Sequence, residues 1–175
     1  MPIALGGVRI WCEMQTPLLQ TERLILRPIA LSDAPAVQKH LPYPPDGAES
    51  FIRAELQKIA DGQENYIWVL VLKDGSDEAV GVIGFRAVEK GSGGNRGFWL
   101  AEPYWGLGLM TEAVKAVNDF VFVRLGLTEY YVCNSADNAG SRRVKQKTGA
   151  RFVCYVEIPH HSGGTRSERW VVRPT

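Results

Sequence analysis

The chain has 175 residues, 45% of them hydrophobic and 22% charged, which is enough for one core burying about 70% of the unfolded surface and too little for two ordinary domains. Its 20 Lys and Arg against 19 Asp and Glu leave a net charge of +1, so it has no basic field for sequence-independent nucleic-acid binding. Three widely spaced cysteines, Cys12, Cys133 and Cys154, argue against a disulfide framework or a zinc ribbon and fit a reducing cytoplasm. No apolar run approaches the ~18 residues of a membrane span. The apolar start lacks the basic region of a signal peptide.

Residues 1–13 read as an N-terminal extension, with Met14 as an alternative initiator and 14–175 as the domain. Packing of the extension as an edge strand, or in a homodimer contact, is the competing reading. Thr21 to Ile29 alternates as a strand, with Leu24 and Leu26 on one face. Ser32-Asp33 signals a helix N-cap, and that helix ends before Pro42. Pro42 to Gly47 is a stiff loop. A second helix carries Phe51, Ile52, Leu56 and Ile59 and stops near Gly62. Tyr66 to Leu72 is a continuous apolar run, as in a strand buried on both faces. Ala79 to Val88 and Arg96 to Ala101 follow as strands of an antiparallel meander.

Gly106 opens a long helix with an apolar stripe from Met110 to Leu125, closed by Gly126. Thr128 to Cys133 reads as a strand. A helix from Asp137-Asn138 to Thr148-Gly149 follows, then strands at Arg151–Ile158 and Arg169–Arg173. The order β-α-α-β-β-β-α-β-α-β-β describes an α+β domain with a central, mixed, mostly antiparallel sheet and helices on both faces.

Two stretches carry chemistry. In Glu102-Pro103-Tyr104-Trp105-Gly106-Leu107-Gly108-Leu109-Met110-Thr111-Glu112, a strand ends, two glycines follow, and an amphipathic helix begins. Free N–H groups and a positive helix end then converge where phosphate oxygens can sit, and glycine permits close backbone approach. A tight turn with no ligand is the plain alternative. A dinucleotide fingerprint needs glycine at Thr111, and a P-loop needs Lys after Gly108, so both are excluded. The second stretch, Asn138 to Gly149, places Asn138 and Ser141 one helical turn apart, where both side chains can meet one ligand. Its Arg142, Arg143, Lys145 and Lys147 read by themselves as a solvated charged face.

Together the two stretches resemble the GNAT superfamily of acyl-CoA N-acyltransferases, and its RimJ/RimL-type branch. The resemblance starts at Thr21-Glu22-Arg23-Leu24-Ile25-Leu26-Arg27-Pro28 and runs to the final strand. It rests on Pro103, Trp105, Gly106, Gly108, Met110, Thr111, Glu112 and Ala113 in the first stretch and on Asn138, Ser141, Arg143 and Val144 in the second. It implies acetyl-CoA as co-substrate, an amine acceptor that is a small molecule or a protein N-terminus, and no metal. Pantetheine would lie along Phe98, Leu100 and Ala101. Pyrophosphate would sit on the backbone of Trp105, Gly106, Leu107, Gly108, Leu109, Met110 and Thr111. Asn138 and Ser141 would touch the pantetheine or the thioester sulfur side, and Lys145 or Lys147 the 3′-phosphate. Trp105 and Met110 depart from the family's usual residues, and Lys145 stands where many relatives carry a tyrosine that protonates the leaving thiolate.

Catalysis is expected to involve Ser141, water or no group at all as acid and Glu102 as base, with a carboxylate cap on the following helix as the alternative for Glu102. His160 and His161 sit in a loop that the family uses as an acceptor wall; a solvated pair is the alternative. Tyr43, Trp68, Trp99 and Trp170 read as core. The expected activity is N-acetyl transfer to a primary amine by direct attack in a ternary complex. A non-catalytic CoA sensor, or an interaction module whose groove is filled by Trp99 or Trp105, is the alternative.

Overall fold

The computed structural model describes residues 16–41, 44–87, 95–158, 164 and 166–174. The extension 1–13, Tyr43, His160 and His161 lie outside them. A five-stranded sheet is built from β1 (Leu19–Gln20), β2 (Leu24–Pro28), β3 (Asn65–Leu72), β4 (Gly81–Arg86) and β5 (Arg96–Leu100), in that spatial order. A three-stranded sheet pairs β6 (Tyr130–Ser135) and β7 (Arg151–Glu157) on either side of β8 (Arg166–Val172). Every ladder among the described residues is antiparallel. The expected central sheet is thus in two parts, which meet at Asn95, at the start of β5 beside β6.

Four helices cover the strands: α1 (Ala34–His40), α2 (Gly47–Ala60), α3 (Leu109–Asp119) and α4 (Ala139–Lys147). The continuous apolar run of β3 has its reason here. Tyr66, Trp68 and Leu70 face the cluster that holds α3. Ile67, Val69 and Val71 face the cluster that holds Val37 of α1 and Ile52 of α2. Both faces of the strand are covered, so neither side needs polar residues. On the α3 side, Phe120 stands edge-on to Tyr66 and Trp68, with ring centroids 5.0 and 5.5 Å away.

Several boundaries differ from the sequence reading, each with a local cause. Asp33 does not cap α1 with its side chain; it accepts from Ala30 N–H at 2.8 Å and from Arg27 Nη2 at 2.7 Å. A 3₁₀ turn over Leu31–Asp33 precedes the helix instead. α2 starts at Gly47 after Asp46, which sits at φ 61°. The helix expected to begin at Gly106 starts at Leu109, behind a 3₁₀ turn at Glu102–Tyr104, and its end widens into a π segment over Phe120–Arg124. β8 begins at Arg166 rather than Arg169. Ser167 and Glu168 are polar yet buried, and Glu168 is held by hydrogen bonds.

The first described residues are tied to β3. Thr16 Oγ1 accepts from Ile67 N–H at 3.3 Å, and Trp68 Nε1 donates to the Pro17 carbonyl at 2.6 Å. Trp68 is fully buried. Trp68→Ala is expected to lower the unfolding free energy by about 3–5 kcal/mol, measured by urea denaturation, through lost contacts and the cavity left behind.

Candidate active site

The site begins with hydrogen-bond parity. β4 and β5 pair from Gly81↔Leu100 to Phe85↔Arg96, with Ala101 N–H on the Val80 carbonyl and Arg86 N–H on the Asn95 carbonyl. Antiparallel alternation then turns the backbone groups of Gly97 and Trp99 toward β4 and those of Phe98 and Leu100 away from it. β6 stands on that far side. Asn95 joins the two strands: its N–H donates to the Tyr131 carbonyl at 2.7 Å, and its Oδ1 accepts from Tyr131 N–H at 3.1 Å. Beyond this pin the strands part. The cleft between them, about 170 Å³, is lined by Arg96, Gly97 and Phe98 of β5, Val132, Cys133 and Asn134 of β6, and Asn138, Ser141 and Lys145 of α4.

Two expected pantetheine contacts on β5 are altered by this geometry. Ala101 faces the other way, because its N–H is spent on Val80. The Leu100 carbonyl accepts from Trp105 Nε1 at 2.6 Å, so Leu100 keeps only its N–H for the cleft. Trp105 itself is 63% exposed, and neither it nor Trp99 lines the cleft.

The glycine turn follows. Gly106 and Gly108 lie at φ 77° and 79°, left-handed conformations that any side chain would strain. Gly108 is the N-cap of α3, and no side chain caps that helix. The N–H groups of Leu109, Met110 and Thr111 therefore have no intrahelical acceptor and point out of the helix end. Glu102 is exposed in the preceding 3₁₀ turn. It neither caps α3 nor lines the cleft, so both roles weighed for it from sequence lack a contact here. The Leu109 and Met110 side chains turn into the core, which removes the larger Met110 side chain from the open side of the turn.

The turn is anchored from the start of the chain. Glu112, in the first turn of α3, accepts from the Thr21 hydroxyl, from Arg23 N–H at 2.8 Å and from Arg23 Nε at 2.8 Å. Arg23 Nη1 donates to the Leu107 carbonyl at 3.0 Å. The Thr21-Glu22-Arg23 and Thr111-Glu112 segments, distant in sequence, are thus two halves of one clasp on the loop. Burial alone would raise the Glu112 pKa; the bonds from Thr21 and Arg23 outweigh it and hold the carboxyl below its ordinary value.

On α4 the charged residues divide. Asn138 is the N-cap, its Oδ1 accepting from Ser141 N–H at 2.9 Å. Arg142 turns inward onto Glu168 at 2.7 Å. Lys145, expected at the surface or near a phosphate, is only 2% exposed and gives Nζ to Ser141 Oγ at 2.7 Å inside the cleft. Arg143 and Lys147 remain on the solvated face. Sequence reading missed Arg96 and the inward course of Lys145; the one available signal was a lysine at an apolar-stripe position next to Val144.

The family model described as an acetyltransferase (GNAT) domain matches residues 23–151. The chain belongs to the GNAT acetyltransferase family. A Bacillus subtilis protein, the uncharacterized N-acetyltransferase YoaA, is 29% identical over 146 residues, covering 76% of this chain and 82% of its own. The fold is similar to that of a ribosomal-protein-serine acetyltransferase candidate from Vibrio cholerae, with a TM-score of 0.75 at 19% identity, over 90% of this chain and 98% of that one. It is also similar to RimL, a ribosomal L7/L12 alpha-N-protein acetyltransferase solved with coenzyme A, with a TM-score of 0.74 at 16% identity over the same shares. Mycobacterium smegmatis RimJ, solved with CoA-disulfide, has a TM-score of 0.74 at 20% identity, over 91% of this chain and 88% of that one. The protein is an acetyl-CoA-dependent N-acetyltransferase. Among the described residues no helix is long and apolar enough to cross a membrane.

Two variants check the loop. Gly108→Val forces a β-branched residue into the left-handed region and is expected to cost at least about 1–2 kcal/mol of stability and to abolish acetyl-CoA binding in calorimetry. A Cβ there meets only Arg23 Nη2, at 3.7 Å, so the cost is conformational and not a clash. Glu112→Gln should weaken acetyl-CoA binding and lower the melting temperature at neutral pH. Because the folded-state pKa of Glu112 is depressed, its contribution is present above the unfolded value of about 4.3 and is lost as pH falls through the folded value. The gap between wild type and variant should therefore close on acidification.

Proposed function

We propose that the α-amine of a polypeptide N-terminus attacks acetyl-CoA directly in a ternary complex, with the pyrophosphate over the turn from Trp105 to Thr111 and pantetheine in the β5–β6 cleft. Phe98 and the Leu100 N–H would hydrogen-bond the pantetheine amides. Asn138 and Ser141 would border the thioester, and Lys147, on the exposed side of α4, would serve the 3′-phosphate. Positioning and carbonyl polarisation supply most of the rate. A cytoplasmic setting fits this co-substrate and the two described cysteines, which are unpaired.

The acceptor class is carried by one observation: among the described residues no carboxylate lines the cleft, whereas two cations do. A site of that charge disfavours an ammonium. An α-amine, with a pKa of about 7.7–8.0, presents far more neutral nucleophile at pH 7 than a lysine or polyamine amine near 10.4. The acceptors named for RimL and the Vibrio cholerae protein agree in kind. The reading of a protein-interaction module with a filled groove has no support from Trp99 or Trp105, which stay out of the cleft.

The test is acetyl-CoA turnover on peptides with a free N-terminus and no lysine, set against Nα-blocked lysine peptides and polyamines. A preference on the order of 10²-fold for the free N-terminus at pH 7 is expected from the neutral fractions. A lysine peptide or polyamine as the better substrate would overturn the acceptor assignment.

A further inference from the structure

α4 carries a primary amine of the chain itself into the β5–β6 cleft. Lys145 is only 2% exposed, yet it lines the opening together with Asn138 and Ser141 of its own helix and Phe98 of β5. Its Nζ donates to Ser141 Oγ at 2.7 Å and lies 5.8 Å from the centroid of the Phe98 ring. The amine is thus held beside the two residues proposed to border the thioester. The charged and titratable groups that face it are Arg96 from β5, Cys133 from β6 and Glu168 from β8. Glu168 is already held by Arg142, Asn134 and Trp170. An ammonium buried without a counter-charge is costly, so this position favours the neutral amine. A neutral amine that gives one N–H to Ser141 keeps its lone pair free, which is the chemical form of an acetyl acceptor.

We propose that Lys145 is a self-acetylation site: with acetyl-CoA bound and no acceptor present, the enzyme transfers the acetyl group to its own Lys145 Nζ and thereby blocks its cleft. This rests on the placement of pantetheine in the cleft with the thioester beside Asn138 and Ser141. Nζ attacks the carbonyl carbon, and the carbon–sulfur bond breaks with its electron pair going to sulfur. One proton of the attacking nitrogen passes to that sulfur. Lysine and acetyl-CoA become Nε-acetyl-lysine and coenzyme A, with nothing left over. The product is an amide, a far poorer acetyl donor than a thioester, so the modified lysine is a dead end for transfer and not an intermediate. It leaves an acetyl group in a cleft of about 170 Å³, where the next thioester would have to sit. An acceptor amine competes for the same carbonyl carbon and so protects the lysine.

The electrostatics suit a nucleophile. Burial, and after it the charge of Arg96, lower the Lys145 pKa to about 7. At neutral pH its neutral fraction is then roughly 10³-fold that of a solvated lysine with a pKa near 10.4. The neutral fraction rises as pH passes through about 7 and levels off above it. That of a solvated lysine, such as Lys147 on the exposed side of α4, goes on rising until its much higher pKa is reached.

The experiment uses the full wild-type chain. It is incubated with acetyl-CoA and no acceptor across a range of pH, and acetylated lysines are located by peptide mass spectrometry. Lys145 should be acetylated at least about tenfold faster than Lys147, given the neutral fractions, and its rate should rise through about pH 7 and then level off. Turnover of an acceptor peptide added afterwards should fall in proportion to the modified fraction, and a saturating acceptor present from the start should suppress the labelling. Lys145→Arg cannot be acetylated at that position, so it should keep whatever turnover it starts with through a prolonged incubation. Labelling confined to exposed lysines would overturn the proposal without any variant. So would labelling of Lys145 no faster in the native chain than in the chain unfolded by urea. Protein that binds acetyl-CoA in calorimetry and leaves Lys145 unmodified overturns self-acetylation while the pantetheine placement stands. Protein that binds no acetyl-CoA overturns both.

Discussion

The parting of β5 from β6 beyond Asn95 is the constraint on which the rest of the molecule depends. A strand edge normally seeks a partner, because unpaired backbone groups are costly to bury. Here Asn95 makes the last bonds across the gap, and its Nδ2 also holds the Arg86 carbonyl at 2.9 Å. One side chain thus fastens three strands at a single point. Past it, the parity set by the β4 ladder leaves Phe98 and Leu100 facing open space. A ligand with its own amides can complete the edge that the fold leaves unfilled. The same opening lets α4 approach β5 closely enough for Lys145 to lie near the Phe98 ring.

The glycine turn before α3 depends on a second long-range arrangement. Two left-handed glycines and an uncapped helix end are individually unfavourable. They persist because Arg23 bonds the Leu107 carbonyl and Glu112 together. Glu112 also lies in the first turn of α3, where a carboxylate suits the positive helix end. The clasp orders the turn without filling the space above it, so the exposed N–H groups remain available for an anion. Binding to a preformed loop avoids the entropy of ordering it at the moment of association.

Charge is distributed by depth. Arg143 and Lys147 behave as a solvated helix face, as the composition of α4 suggested. Arg142 finds Glu168 across the small sheet, and Lys145 finds no carboxylate partner in hydrogen-bond reach. One helix of nine residues therefore holds a surface charge, a buried ion pair and a buried free cation. Helical periodicity distinguishes the faces, but it does not say how far each faces into protein. That depends on β5, β6 and β8, which come from three separate parts of the chain.

Much of the architecture was legible because periodicity and punctuation act locally. The double-faced apolar run of β3, the stripe from Met110 to Val121, and the glycines at Gly106 and Gly108 each follow from neighbours a few residues away. The glycine turn was legible for the same reason: a strand end, two glycines and a helix start are contiguous. The cleft was not. Its walls are Arg96, Cys133 and Lys145, and each of these alone reads as an ordinary strand or helix residue. Asn95 and Glu168 gave no local signal, because their partners lie tens of residues away. Glu102 drew attention by its place beside the glycine turn, whereas the 3₁₀ turn carries it to the surface. The sequence by itself determined the helices, the strands and the glycine turn, since these are short-range consequences of side-chain pattern. Tertiary structure alone decided which edge stays open, which charges are buried and which pairs meet, since those depend on distances between segments that local pattern does not encode.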